Sequence, residues 1–125
     1  MLRKFLVPLS AAALVALPAT EASATSTAPA KARAQVVKVV AGSPSEFRFT
    51  LSKKTVKPGV VLFKITNKGQ LPHDFKIAGK RTPLLQHGKT KTLRVVFKKV
   101  KKYPYLCTVS GHAAAGMKGV LRVKK

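Results

Sequence analysis

The chain has 125 residues, 46% of them hydrophobic, with 25 Lys and Arg against three acidic residues and a formal net charge of +22. This length holds one domain rather than several, and the single Cys excludes an internal disulfide framework. So basic a chain suggests nucleic acid first, but the charges run along nearly every element, with no aromatic stacking series, recognition-helix pattern or zinc-finger spacing; no nucleic-acid partner is expected.

The N-terminus carries Arg3 and Lys4, an apolar run from Phe5 to Ala19 and then Ala22, Ser23 and Ala24, the small-x-small form that signal peptidase cuts. Residues 1–24 are therefore expected to be an export signal. The apolar run is short for a membrane span and is broken by Pro8 and Pro18, and no Cys follows it to carry a lipid. Export sets a periplasmic or extracellular, cell-surface location, where a lone thiol is open to oxidation unless something such as a metal occupies it. Loss of Arg3, Lys4 and Glu21 with the signal leaves a formal charge of about +21. That charge favours anionic partners, including a membrane or envelope surface, and favours a monomer at low salt. Residues 25–34 are small and polar without apolar periodicity, as in a disordered leader or tether, so the folded domain is expected at 35–125.

From Gln35 the texture changes. Val36 to Val40 is rich in β-branched residues and ends at Gly42, Ser43 and Pro44, a strand followed by a turn. Glu46 to Leu51 alternates, with Phe47, Phe49 and Leu51 on one face and Glu46, Arg48 and Thr50 on the other, which predicts a half-buried strand. Pro58 and Gly59 turn the chain, and Val61, Phe63 and Ile65 then alternate with Lys64 and Thr66 up to a break at Asn67 and Gly69. Between Leu71 and Ile77, His73 shares a face with Phe75 and Ile77 at period two and lies at the inward mouth of a strand. Residues 80–91 read as a loop carrying His87, and Leu93, Val95 and Phe97 mark a further strand. The basic run from Lys98 to Lys102 reads as a solvated turn. Tyr103, Tyr105 and Cys107 share a strand face, and Gly119 to Val123 closes the domain. Seven or so short strands punctuated by Gly and Pro predict an all-β, Greek-key antiparallel β-sandwich.

The chemistry is concentrated between Cys107 and Met117. A thiolate, the imidazole of His112 and the thioether of Met117 follow one another with four residues in each gap, and thirty-four residues before the Cys stands His73. Two histidines, one cysteine and a weak axial methionine are the donors of a trigonal copper site, and a rigid sandwich is what brings the early histidine to the late loop. Each residue alone has a blander reading: a buried inert Cys, a Met filling the core. The joint pattern is far more specific. His87 lies in a turn outside this complete set and reads as a surface histidine.

From about Val36 to the C-terminus the chain resembles the cupredoxins, the small blue copper proteins that include plastocyanin, azurin, auracyanin and rusticyanin. The loop spacing is more similar to auracyanin and rusticyanin than to plastocyanin, and Asn67, Phe75, Tyr103, Tyr105 and the closing strand also fit. The resemblance implies one type 1 copper at one end of the sandwich, with His73, Cys107, His112 and Met117 as metal ligands, and one-electron transfer rather than an enzyme's chemistry. The alternatives are a copper-handling protein for storage, delivery or sensing, and a metal-free domain that binds anionic surfaces. In the family electrons pass through the edge of the loop histidine; here Leu71, Pro72, Ala113, Ala114 and Ala115 form the expected apolar patch, with a lysine rim suited to redox partners with acidic docking surfaces. Many family members have an amide or hydroxyl residue after the first histidine, where this chain has Asp74. If that carboxylate reaches the Cys107 loop, it is disfavoured beside the thiolate and the reduction potential depends on pH more than in Asp74→Asn.

Overall fold

The computed structural model describes residues 11–16 and 33–125. The expected export signal at 1–24 lies outside the described residues except for 11–16, which are exposed and form no helix or strand; the expected leader at 25–34 lies outside them except for 33 and 34. Among the described residues there are nine strands and no helix: β1 (Gln35–Ala41), β2 (Phe49–Leu51), β3 (Thr55–Val56), β4 (Gly59–Asn67), β5 (Lys76–Ile77), β6 (Lys80–Arg81), β7 (Thr90–Phe97), β8 (Lys102–Leu106) and β9 (Lys118–Val123).

The strands form two sheets, ordered β2-β1-β4-β7 and β3-β9-β8-β5-β6. Period-two alternation decides what each sheet contributes to the space between them. In β4, Val61, Phe63 and Ile65 are wholly buried while Lys64 is exposed; in β1, Val37 and Val39 are buried and Val36 and Lys38 are exposed. The second sheet answers with Ile77, Tyr105, Leu121 and Val123, and all of these belong to one core. Aromatic rings stitch the layers together: Phe75 meets Phe49 edge-on at 5.3 Å, and Phe63 at 5.3 Å and Tyr105 at 5.4 Å in tilted contacts, between ring centroids. Full burial of a side chain such as Phe63 contributes about 1.5–3 kcal/mol relative to exposure.

The expected sandwich is present, with its sheets mixed rather than antiparallel throughout. β1 runs parallel to β4, from Gln35 opposite Val61 to Ala41 opposite Asn67, and β3 runs parallel to β9. The first follows from chain path: β2 and β3 intervene before β4 returns to the first sheet in the direction of β1. A second difference concerns residues 46–51. The strand begins only at Phe49, because the β1–β2 hairpin closes with Ala41 opposite Phe49 and the Gly42 N–H donating to the Arg48 carbonyl at 2.9 Å. Residues 43–47 therefore loop out, and Glu46 leaves the predicted outward strand face for the end of the sandwich where β4 stops.

Candidate metal centre

Three segments meet at that end. The first is the turn after β4, organised by Asn67, whose side chain is fully buried. Its Nδ2 donates to the carbonyls of Leu71 (2.9 Å) and Leu85 (2.8 Å), and its Oδ1 accepts from the Gly69 N–H at 2.8 Å. One amide thus fixes both the 68–71 turn and the strand-like stretch at Leu85. The second segment carries His73, whose N–H donates to the Leu85 carbonyl at 3.1 Å and whose carbonyl accepts from the Leu85 N–H at 2.8 Å. This isolated antiparallel bridge locks the histidine backbone, and Phe75 buried two residues on keeps His73 on the inner face.

The third segment is the loop between β8 and β9. Cys107 N–H donates to the Met117 carbonyl at 3.1 Å, Met117 N–H donates to the His112 carbonyl at 3.1 Å, and His112 N–H donates to the Val109 carbonyl at 3.0 Å. The loop is a series of tight turns closed on itself. Phe47, from the 43–47 loop, sets its ring edge against His112 at 5.0 Å between centroids.

Within this frame His73 Nδ1 lies 3.1 Å from His112 Nδ1, and Cys107 Sγ lies 3.6 Å from His112 Nδ1 and 4.0 Å from His73 Nδ1. A point equidistant from the three atoms lies about 2.1 Å from each by plane geometry, which matches metal–nitrogen and metal–sulfur bonds of about 2.0–2.3 Å. The donor set fits a metal ion. Met117, the fourth residue singled out in the sequence, is wholly buried at the closing end of the same loop. His87 is not among the converging donors: it is exposed, and its Nδ1 lies 2.7 Å from the Gly69 carbonyl.

Two carboxylates frame the donors. Glu46 Oε1 lies 2.7 Å from His73 Nε2, and the two Glu46 oxygens accept from the N–H groups of Leu71 (2.9 Å) and Gln70 (2.9 Å). Those two backbone donors hold the Glu46 carboxyl below its ordinary value against an opposing cost of burial, and His73 adds to the lowering. An ionised Glu46 can only accept, so His73 carries its proton on Nε2 and turns the Nδ1 lone pair toward Cys107. On the other side, Asp74 Oδ1 accepts from the Thr108 N–H at 2.6 Å and Oδ2 accepts from the Thr108 hydroxyl. Asp74 is buried and does reach the Cys107 loop. Burial pushes the Cys107 thiol up; backbone N–H groups at Asp74 and Val109 oppose this and the Asp74 charge reinforces it. Burial, then the nearby His73, lowers His112.

Glu46, Asn67, Gly69 and Thr108 do their work here through contacts that local periodicity cannot report. Glu46 did carry one signal, its rarity: outside residue 21, only Glu46 and Asp74 are acidic in the whole chain.

No protein-family model matches the chain, and no curated protein matches it in sequence. Solved structures do. The dithionite-reduced auracyanin of Roseiflexus castenholzii superposes with a TM-score of 0.64 at 21% identity, covering 75% of this chain and 99% of that one. Auracyanin A of Chloroflexus aurantiacus, described as a "blue" copper protein, gives 0.63 at 17% identity over 74% and 100%. Reduced rusticyanin gives 0.60 at 22% identity over 73% and 79%. These likenesses show that the chain has the cupredoxin fold.

Proposed function

We propose that the chain is an exported blue copper protein, a one-electron carrier whose single type 1 copper is held by His73, Cys107, His112 and Met117. The observation that carries this reading is the convergence of two imidazole Nδ1 atoms and one thiol sulfur, 3.1–4.0 Å apart, in a buried pocket of a cupredoxin fold. Copper bound there supplies a one-electron couple, tuned by a weak axial thioether. The protein's contribution is rigidity and dryness. The Leu85 bridge, the self-closed loop and the Asn67 amide hold the donors in place, so little needs to move when the charge changes.

His112 is the one ligand that reaches the surface, at 8% exposure against 0–1% for His73, Cys107 and Met117. Ala113, Ala114 and Ala115 follow it in the chain and Leu71, two residues before His73, is exposed; these are the residues proposed as an apolar patch for electron exchange. The partners proposed are redox proteins with acidic docking surfaces, since the chain carries 25 Lys and Arg against three acidic residues. At the N-terminal strand a groove lined by Arg33, Lys53, Lys57 and Lys125 supports weaker association with an anionic membrane or envelope surface. The periplasm or the cell exterior is the proposed location, and a monomer the proposed state. Copper storage or delivery draws less support from so buried a donor set.

The test is the visible and electron paramagnetic resonance spectrum with one equivalent of Cu(II). An intense thiolate-to-copper band with small hyperfine splitting, absent in Cys107→Ser, is expected. A pale tetragonal signal indifferent to Cys107 overturns the proposal.

A further inference from the structure

We infer that Glu46 is a positioning residue of the metal centre, which holds His73 as an Nδ1 donor and by its charge favours the oxidised over the reduced metal. The inference rests on the copper reading above and adds to it a residue that is neither a ligand nor adjacent to one in sequence. Three observations carry it. The first is the contact itself: Glu46 Oε1 and His73 Nε2 are 2.7 Å apart, on the side of the imidazole away from Cys107. A carboxylate behind a ligating histidine orients the ring and raises its basicity.

The second is that the carboxylate is built into place. Two backbone N–H groups of the 70–71 turn donate to it at 2.9 Å, and Gly69 packs so closely that a Cβ there would sit 2.6 Å from Glu46 Oε1 and 2.8 Å from His73 Nε2. An acid that merely capped the turn would have no reason to meet the histidine as well.

The third is the distribution of charge. In a chain of formal charge +22, the two acids beyond residue 21 flank the donor set, one behind His73 and one on the Thr108 side of Cys107. A uniformly cationic surround favours the less positive, reduced metal. A carboxylate hydrogen-bonded to a ligand offsets that field where it acts most strongly, in a part-buried site where charges are poorly screened.

The experiment is a redox titration of the copper-loaded protein, Glu46→Gln and the exposed Lys68→Gln, with the His73 Nε2–H resonance followed in the Cu(I) form. Glu46→Gln is expected to lower Cu(II) affinity relative to Cu(I) by about tenfold, which for one electron is a rise of about 59 mV. Lys68→Gln removes one charge nearby without touching His73 and is expected to change the ratio by much less. The His73 Nε2 proton should be downfield and slow to exchange in the unaltered protein and should move upfield in Glu46→Gln. A ratio changed less than twofold by Glu46→Gln, or a shift equal in size to that of Lys68→Gln, overturns the inference while leaving the type 1 reading standing. An unaltered protein without a thiolate-to-copper band overturns that reading instead. If Glu46→Gln does not fold, the resonance of the unaltered protein decides: a fast-exchanging or undetected Nε2 proton overturns the inference.

Discussion

Asp74 and Thr108 are joined twice, backbone N–H and side-chain hydroxyl of Thr108 both donating to the one carboxylate. The residue after the first histidine is thereby tied to the residue after the cysteine, so two donors thirty-four positions apart are held by one side chain. Asp74→Ala leaves a part-buried N–H and hydroxyl without partners and is expected to destabilise the metal-free protein by about 1–3 kcal/mol. Asp74→Asn keeps an acceptor for the N–H and should cost less. Urea denaturation of the three proteins measures the order, and equal midpoints for Asp74→Ala and the unaltered protein would contradict it.

Gly69 is required by close approach. Its added Cβ would lie 2.6 Å from Glu46 Oε1 and 2.8 Å from His73 Nε2, so one of them has to move. Gly69→Ala is expected to break the Glu46–His73 contact and weaken copper binding by roughly 10-fold or more, with the strand signal in far-ultraviolet circular dichroism unchanged. Competition with a Cu(I) chelator gives the affinity; an unchanged value would show that the turn relaxes freely.

Burial keeps the Cys107 thiol protonated at neutral pH in the metal-free protein. Metal uptake has to displace that proton, so binding near pH 7 should release about one proton from Cys107, and apparent affinity should rise with pH. Calorimetry with redox-inert Zn(II) in buffers of different ionisation enthalpy counts the protons. Cys107→Ser should lack this release; an equal count in both proteins would refute the assignment.

Acid should destabilise the metal-free protein in two stages. His112 is lowered from its ordinary 6.5, so below that pH the unfolded chain takes up a proton that the folded protein resists, and stability falls as pH drops. Glu46 is lowered from its ordinary 4.5; its contribution is complete above that pH and is lost as pH falls through the folded value. Urea midpoints between pH 8 and pH 3 should decline in both windows, with Glu46→Gln removing the lower stage and His112→Ala the upper. A profile flat to pH 4 would contradict the first stage.

The long strands and the residues that converge at one end of the sandwich, His73, Cys107 and His112, were legible in the sequence for two separate reasons. Val61, Phe63 and Ile65 alternate with polar neighbours because one face of β4 is buried and the other is not, and that alternation needs no knowledge of partners. Cys107, His112 and Met117 stand out because soft donors at short spacing have few other uses, and His73 because it shares a strand face with Phe75. Pairing and polar support were decided elsewhere. β3 and β6 are two residues long and show no period, and the parallel match of β1 to β4 depends on where the chain travels in between.

Glu46 shows the difference most clearly. Its alternation with Phe47 to Leu51 places it on an outward strand face, and locally nothing contradicts that. Only the closure of the β1–β2 hairpin at Phe49 frees residues 43–47 to loop toward the 68–71 turn, where two backbone donors and an imidazole outweigh a place on a strand edge. The sequence by itself determined the sandwich class and the donor chemistry, since both are written in residue type and period. Tertiary structure alone decided which acids, amides and glycines surround those donors, because a hydrogen bond between residues 46 and 73 leaves no trace in the neighbours of either.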